Sequence, residues 1–314
     1  MLSRRHLRIK VLQALYSYFS EGFENVNKGE RELHLSINRF YELFLYQIAF
    51  ISEVHQVSQK LIDDAKQKLL PTEEDKNPNI RFAENKILTA VSSNSYLNKL
   101  IEEYKISWVG ENEIARRAFA AFKNTPDYSK YMNAESNNFE KDKRVVASLI
   151  QEVLADFPPL MQIYEERSIF WVDDIDMVNL ILMNVVKSCK ENKIDDIFNN
   201  LEFNIDDEDR EFATELFRQT ILHSSEYEKF ISDKTHNWEV ERIAIMDILI
   251  MKMAIAELLQ FSSIPVKVTL NEYIELAKLY STPKSNVFVN GILDKLIEDF
   301  RSKEMIKKTG RGLM

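Results

Sequence analysis

A single cysteine, Cys189, stands in 314 residues, so no disulfide can form within the chain and no cysteine-based metal cluster is available. Set in ILMNVVKSCK, that cysteine reads as a helix-borne, buried structural thiol in a reducing compartment. Glycine and proline are nearly as scarce, with six and seven in all. The turn and breaker residues that many short strands require are therefore missing, and the apolar-periodic segments are long, which predicts an all-α protein. No uncharged apolar run approaches the roughly 18 residues that span a bilayer as a helix, so no membrane association is expected and the chain reads as cytoplasmic. Positive charge is in short supply too: 41 Lys and Arg face 50 Asp and Glu, for a formal net charge of −9. The molecule as a whole repels phosphate, and any nucleic-acid contact must come from a local patch.

Catalytic signatures are missing as well. The sequence has no Gly-rich phosphate loop, dinucleotide fingerprint or nucleophile elbow. The five histidines, His6, His34, His55, His223 and His236, never fall at the i, i+4 spacing that presents two imidazoles to one metal. Carboxylate runs such as Asp173, Asp174 and Asp176, or Asp206 to Asp209, read as helix caps and macrodipole partners. No catalytic residue, metal or cofactor is expected.

What is present is helix pattern. From Ser3 to Phe19 the apolar residues Leu7, Val11, Leu12, Leu15 and Phe19 recur at helical spacing, with Ser3 as N-cap. The basic start of MLSRRHLRIKVLQALYSYF is not read as a targeting signal, because Gln13 interrupts the apolar stretch and no small-residue cleavage site follows. EGFENVNKGERE breaks the pattern, and one long helix or two abutting ones follow from about Leu33 to Leu70, closed by PTEEDKNPN. The polar connection KNTPDYSKYMNAESNNFEKDK precedes a helical region from about Arg144 to Lys190, and acidic FNIDDEDRE precedes the C-terminal block. The three tryptophans sit in similar strings, KLIEEYKISWV ending at Val109, QIYEERSIFWV ending at Val172, and KFISDKTHNWEV ending at Val240. This pattern suggests duplicated helical hairpins, each burying its stripe against a neighbour.

Charge is concentrated at the N-terminus, where Arg4, Arg5, Arg8 and Lys10 crowd the positive end of a helix dipole. Arg4 and Arg8 lie one turn apart with Arg5 beside them, a compact cationic face suited to phosphate, while Leu7 and Val11 point to the core. The basic tail RSKEMIKKTGRGLM reads either as a second flexible contact or as a solubilising end.

In the C-terminal block, IPVKVTLNEYIELAKLYSTPKSNVFVNGILDKL (Ile264 to Leu296) reads as two helices around an STPKSN turn. Asn271 and Glu272 open the first, Ile274, Leu276, Ala277 and Leu279 form its packing stripe, and Ser285 or Asn286 caps the second. Gly291, inside that second helix, is expected to permit close helix packing. This run, the upstream WEVERIAIMDILIMKMAIAELL with Trp238, Arg242, Asp247, Lys252 and Glu257, and the N-terminal RRHLRIKVLQALYSY together resemble the NusB family of transcription antitermination proteins. The resemblance covers roughly the first 20 and last 110 residues. It implies an all-α fold with a NusB-like C-terminal bundle, residues 201–314, and an N-terminal helical region, residues 1–200, that holds a long insertion of repeated hairpins.

The resemblance also implies a non-catalytic role in processive, especially ribosomal RNA, transcription. Members pair with NusE, a small-subunit ribosomal protein, and bind boxA-type single-stranded RNA for the RNA polymerase antitermination complex. By position, the RNA-facing candidates are Arg4, Arg5, Arg8, Lys284 and Phe288, and the NusE-facing candidates are Tyr16, Glu241 and Asp247. Lys284 replaces an acidic residue frequent at its position and Ala256 replaces a tyrosine. A helical protein-protein scaffold of the transcription machinery without specific RNA binding is the competing reading.

Overall fold

A computed structural model describes residues 2–20, 22, 25–199, 205–235 and 243–309. The described residues form α-helices and short 3-10 turns, without strands. In chain order the helices are α1 (Arg4–Ser20), α2 (Val26–Lys66), α3 (Glu73–Lys76), α4 (Lys86–Ser93), α5 (Ser95–Glu103), α6 (Asn112–Lys123), α7 (Pro126–Met132) and α8 (Phe139–Glu152). They continue as α9 (Pro158–Arg167), α10 (Ile175–Ser188), α11 (Asp207–Leu222), α12 (Ser224–Lys234), α13 (Ile245–Gln260), α14 (Val266–Tyr280) and α15 (Ser285–Ser302).

The chain divides into two compact units, one formed by Met1–Ile37 together with Asn204–Met314 and the other by Asn38–Phe203. This differs from a division at residue 200 that leaves the first helix with the insertion. The reason is the apolar stripe of α1: Leu7, Val11, Leu12 and Leu15 are fully buried, and the helix packs on α11 and α13. Burying each such side chain is worth about 1.5–3 kcal/mol, which a lone amphipathic helix cannot recover elsewhere.

In the first unit α13 is the central helix, with α1, α11, α12, α14 and α15 packed around it. Every residue from Leu249 to Leu258 is buried, as its nearly continuous apolar sequence requires. Two charged residues share that burial and need partners: Lys252 donates to Ser224 Oγ (2.9 Å) and Glu228 Oε2 (2.7 Å), and Glu257 meets Arg8. Helix α2 begins at Val26, earlier than its apolar pattern predicts, with Gly29 inside it. A Cβ at Gly29 would lie 2.6 Å from Phe217 Cζ, so glycine permits close approach of this turn to α11.

The α14–α15 region corrects three local expectations. Asn271 and Glu272 lie in the middle of α14, whose buried face is Val266, Thr269, Tyr273, Leu276 and Ala277, while Leu279 is exposed. Ser285 is the first residue of α15 and its hydroxyl donates to Asp247 Oδ2 (2.8 Å) instead of capping the helix. Gly291 faces open space, with nothing within 4 Å of an added Cβ, so it does not serve close packing. The basic tail is also anchored as far as it is described. Ile306 packs against Leu258, Val266 and Ile297, and Lys308 Nζ donates to the carbonyls of Glu257 (3.2 Å) and Phe261 (2.8 Å) at the end of α13. Burial lowers the Lys308 pKa to about 8.

In the second unit the remainder of α2 supplies Phe40, Phe44, Ile48, Phe50 and Val54 to the core. Trp108 and Trp171 repeat one arrangement on it. Their indole N–H groups donate to the carbonyls of Tyr46 (3.1 Å) and Arg39 (2.8 Å), seven residues or two helical turns apart. Both indoles also contact the Tyr46 and Tyr164 rings, at centroid distances of 5.2–6.1 Å. Trp238, the third member of the sequence pattern, lies outside the described residues. Buried polar groups here are largely satisfied. Asn85 caps α4 through Ile87 N and Leu88 N and donates to the Asp142 carbonyl, while Tyr131 OH donates to Asp142 Oδ1 (2.6 Å). Cys189 is a buried free thiol whose pKa burial raises.

Candidate nucleic-acid and partner interface

The start of α1 lays three arginines against three carboxylate sites, all within the first unit. Arg4 Nε donates to Asp209 Oδ1 (3.0 Å) and its Nη2 reaches Glu208, with the guanidinium 5.0 Å from the Phe212 ring centroid. Asp206, one residue before α11, holds that acidic turn in place by accepting from Asp209 N (2.7 Å), the capping role its sequence suggests. Arg5 is bidentate to Glu272 on α14, with both bonds at 2.7 Å, and the pairing holds the Glu272 carboxyl below its ordinary pKa.

Arg8 departs from the expected cationic face. It is 3% exposed, and its guanidinium is bidentate to the fully buried Glu257 at 2.7 and 2.8 Å. Glu257 also accepts from Thr269 Oγ1 (2.8 Å) and Tyr273 OH (3.1 Å), which completes its hydrogen bonding. Burial, reinforced by the Glu257 charge, drives the Tyr273 pKa well up, so its hydroxyl stays a donor. The cations open to solvent at this end of α1 are therefore the exposed Arg5 and the half-buried Arg4, and Arg8 is a structural charge in the core. Lys10 is buried as well. His6 lies between Arg5 and Leu7, its Nδ1 2.7 Å from Ser3 Oγ, and burial with the Arg5 charge lowers its pKa.

A second group of candidates converges at the α14–α15 turn. Asp247, Lys284 and Phe288 line one cavity of about 560 Å³, together with Ile243, Thr282 and Val287. Asp247 is 5% exposed; its Oδ2 accepts from Ser285, whereas its Oδ1 has no hydrogen-bond partner among the described residues. Lys284 is exposed, Phe288 half-buried and the intervening Val287 71% exposed. Tyr16 is 44% exposed on α1, away from any described partner, and Glu241 lies outside the described residues. Sequence reasoning alone did not find the carboxylates that oppose the arginines. The signal for one of them was present in Glu257, a charge inside the apolar run MAIAELL, which must find a buried counter-ion.

The model of the NusB family matches residues 172–298. Among curated relatives, the transcription antitermination protein NusB of Geobacter sulfurreducens is 42% identical over 94 residues, 30% of this chain and 68% of that protein. The chain belongs to the NusB family. Its match to NusB of Salinibacter ruber is 45% over 105 residues, and to that of Chloroherpeton thalassium 42% over 105 residues, each 33% of this chain. Those stretches span 66% and 50% of the two relatives, so the likeness is to part of each protein. The solved structure of T. maritima NusB is 30% identical, covering 40% of this chain and 87% of that one, with a TM-score of 0.31. The NusB-family match begins inside the second unit and ends within α15, so it contains Lys284, Phe288 and Asp247 but not α1.

Proposed function

We propose that this chain is a non-catalytic transcription antitermination factor whose first unit binds boxA-type single-stranded RNA together with NusE. Family membership carries the reading, and three features of the site support it. The half-buried Arg4 and the exposed Arg5 present guanidinium groups that can exchange carboxylates for phosphates without reorganising the core, because the buried charge of Arg8 is separately neutralised. Lys284 and Phe288 add a phosphate contact and a stacking face at the α14–α15 turn. Asp247 Oδ1, which has no hydrogen-bond partner among the described residues, supplies an acceptor for a partner's N–H or O–H donor, the role this reading gives to NusE.

The deciding experiment titrates the purified protein, alone and with its cognate NusE, against boxA-like and scrambled single-stranded RNA. A preference for boxA-like RNA that NusE strengthens is the expected result, and equal binding of both RNAs sinks the assignment. Replacing Arg4 and Arg5 with Ala should weaken binding to every sequence and flatten its salt dependence.

A second reading, a helical scaffold that holds proteins of the transcription machinery without reading RNA, draws on one observation. Each of the three arginines already has a carboxylate partner in a chain of net charge −9. Recruitment of NusE that is indifferent to ribonuclease, with no boxA preference, would select it.

A further inference from the structure

The two tryptophan corners of the second unit agree further than their indoles. Offset by 63 residues, Glu102–Glu103, Ile106, Trp108–Val109, Glu111 and Glu113 match Glu165–Glu166, Ile169, Trp171–Val172, Asp174 and Asp176. The windows 102–113 and 165–176 hold four carboxylates against Lys105 and five against Arg167, so together they carry −7 of the chain's −9.

The structure sets these corners side by side within the second unit. Arg167 lies 4.6 Å from the Tyr46 ring and 4.9 Å from the Trp108 ring, and its guanidinium reaches the Ser107 carbonyl at 3.5 Å. Large apolar side chains stand out at the same place: Val109 is 92% exposed, Ile169 80% and Val172 49%. Around them Glu102, Glu103, Glu113, Glu165, Glu166 and Asp176 are exposed, and none forms an ion pair among the described residues. A rigid aromatic cluster thus backs solvent-facing valine and isoleucine inside an acidic rim, an arrangement that costs solubility unless something covers it.

We propose that the paired tryptophan corners form a docking surface for a cationic protein segment bearing apolar side chains. The charge decides the class of occupant: the same carboxylates repel RNA phosphates and anionic lipid headgroups, and they attract Lys and Arg. Repetition of the corner provides two similar half-sites, so the occupant extends across both. This surface is independent of the arginine and Asp247 sites and of the RNA-binding reading.

The test uses the full chain and three fluorescent probes: an 18-residue amphipathic Lys/Leu peptide, a Lys/Gly peptide of equal charge, and a single-stranded RNA. The Lys/Leu peptide should bind tightest, and amide exchange should slow in segments 105–113 and 165–176. The exposed-residue variant Val109→Ser/Ile169→Ser/Val172→Ser should weaken it about tenfold or more with an unchanged helical spectrum. The neutralised variant Glu102→Gln/Glu103→Gln/Glu165→Gln/Glu166→Gln should weaken both peptides and reduce their salt dependence. Arg4→Ala/Arg5→Ala should leave peptide binding unchanged. Equal affinity for the two peptides, wild-type binding by the serine variant, or tighter binding of RNA than of peptide at these segments overturns the proposal.

Discussion

Replacing Arg8 with Met removes one charge from a fully desolvated pair while nearly preserving side-chain volume. Glu257 would keep Thr269 Oγ1 and Tyr273 OH as donors but lose both guanidinium bonds. Breaking a buried pair by deleting one partner costs about 3–5 kcal/mol, and the two surviving hydroxyl donors place Arg8→Met near the lower end, about 3 kcal/mol. Glu257→Gln alone should be comparably damaging, because it strands the guanidinium. The double variant Arg8→Met/Glu257→Gln removes both charges of this pair and should lose less than the two singles added together, with a coupling of about 2–3 kcal/mol. Urea denaturation followed by helical circular dichroism measures each corner of the cycle. A single-variant cost below about 1 kcal/mol, or strict additivity in the double, refutes the assignment of Arg8 to the core. A folded Arg8→Met protein should also keep wild-type RNA affinity, which an arginine bound directly to RNA could not allow.

Other outcomes follow from the same geometry. Gly29→Ala gains about 1 kcal/mol of helix propensity but drives a methyl into the buried Phe217 ring, so a net loss of about 1–2 kcal/mol in thermal or urea unfolding is expected, and stabilisation would contradict the close approach. Glu208→Gln frees Arg4 from an intramolecular competitor and should raise RNA affinity about two- to fivefold in a salt-sensitive manner, read by fluorescence anisotropy. His55 is 1% exposed with Nε2 2.8 Å from the Ala83 carbonyl and Nδ1 3.1 Å from Ser92 Oγ, and burial lowers its pKa. Because the unfolded state binds the proton more readily, stability of the second unit should fall as pH drops through 6.5 and below, and His55→Gln should blunt that dependence.

Much of the helical architecture was legible because its determinants are local. Periodic leucines define α1, and the Asp206 cap marks the start of α11. Tertiary contacts decided the rest. Nothing within EGFENVNKGERE reveals why a glycine stands inside the helix at position 29, since the reason is the Phe217 ring nearly 190 residues away. Arg8 shares a helix face with Arg4 by its spacing, yet its pairing with Glu257 of α13 holds it at 3% exposure. Charge spacing describes a helix surface, whereas the carboxylate waiting at Glu257 determines which charge is drawn inward. Asp247, Lys284 and Phe288 are separated by up to 41 positions and share a cavity only because α13 and α15 pack together.

The nested arrangement of the chain has a consequence for its synthesis. Helix α1 leaves the ribosome first, but α11 and α13, which cover its leucines, emerge only after the whole second unit has been made. At translation rates of ~5–20 residues per second, the 186 residues between Ser20 and Asp207 hold that stripe without its final cover for roughly 10–40 seconds. The inserted unit can complete its own core in that interval, while the arginine-bearing helix remains a nascent segment open to chaperones. Packing of the arginine-bearing helix on α11 and α13 therefore waits for synthesis of the second unit, a delay set by the length of the insertion.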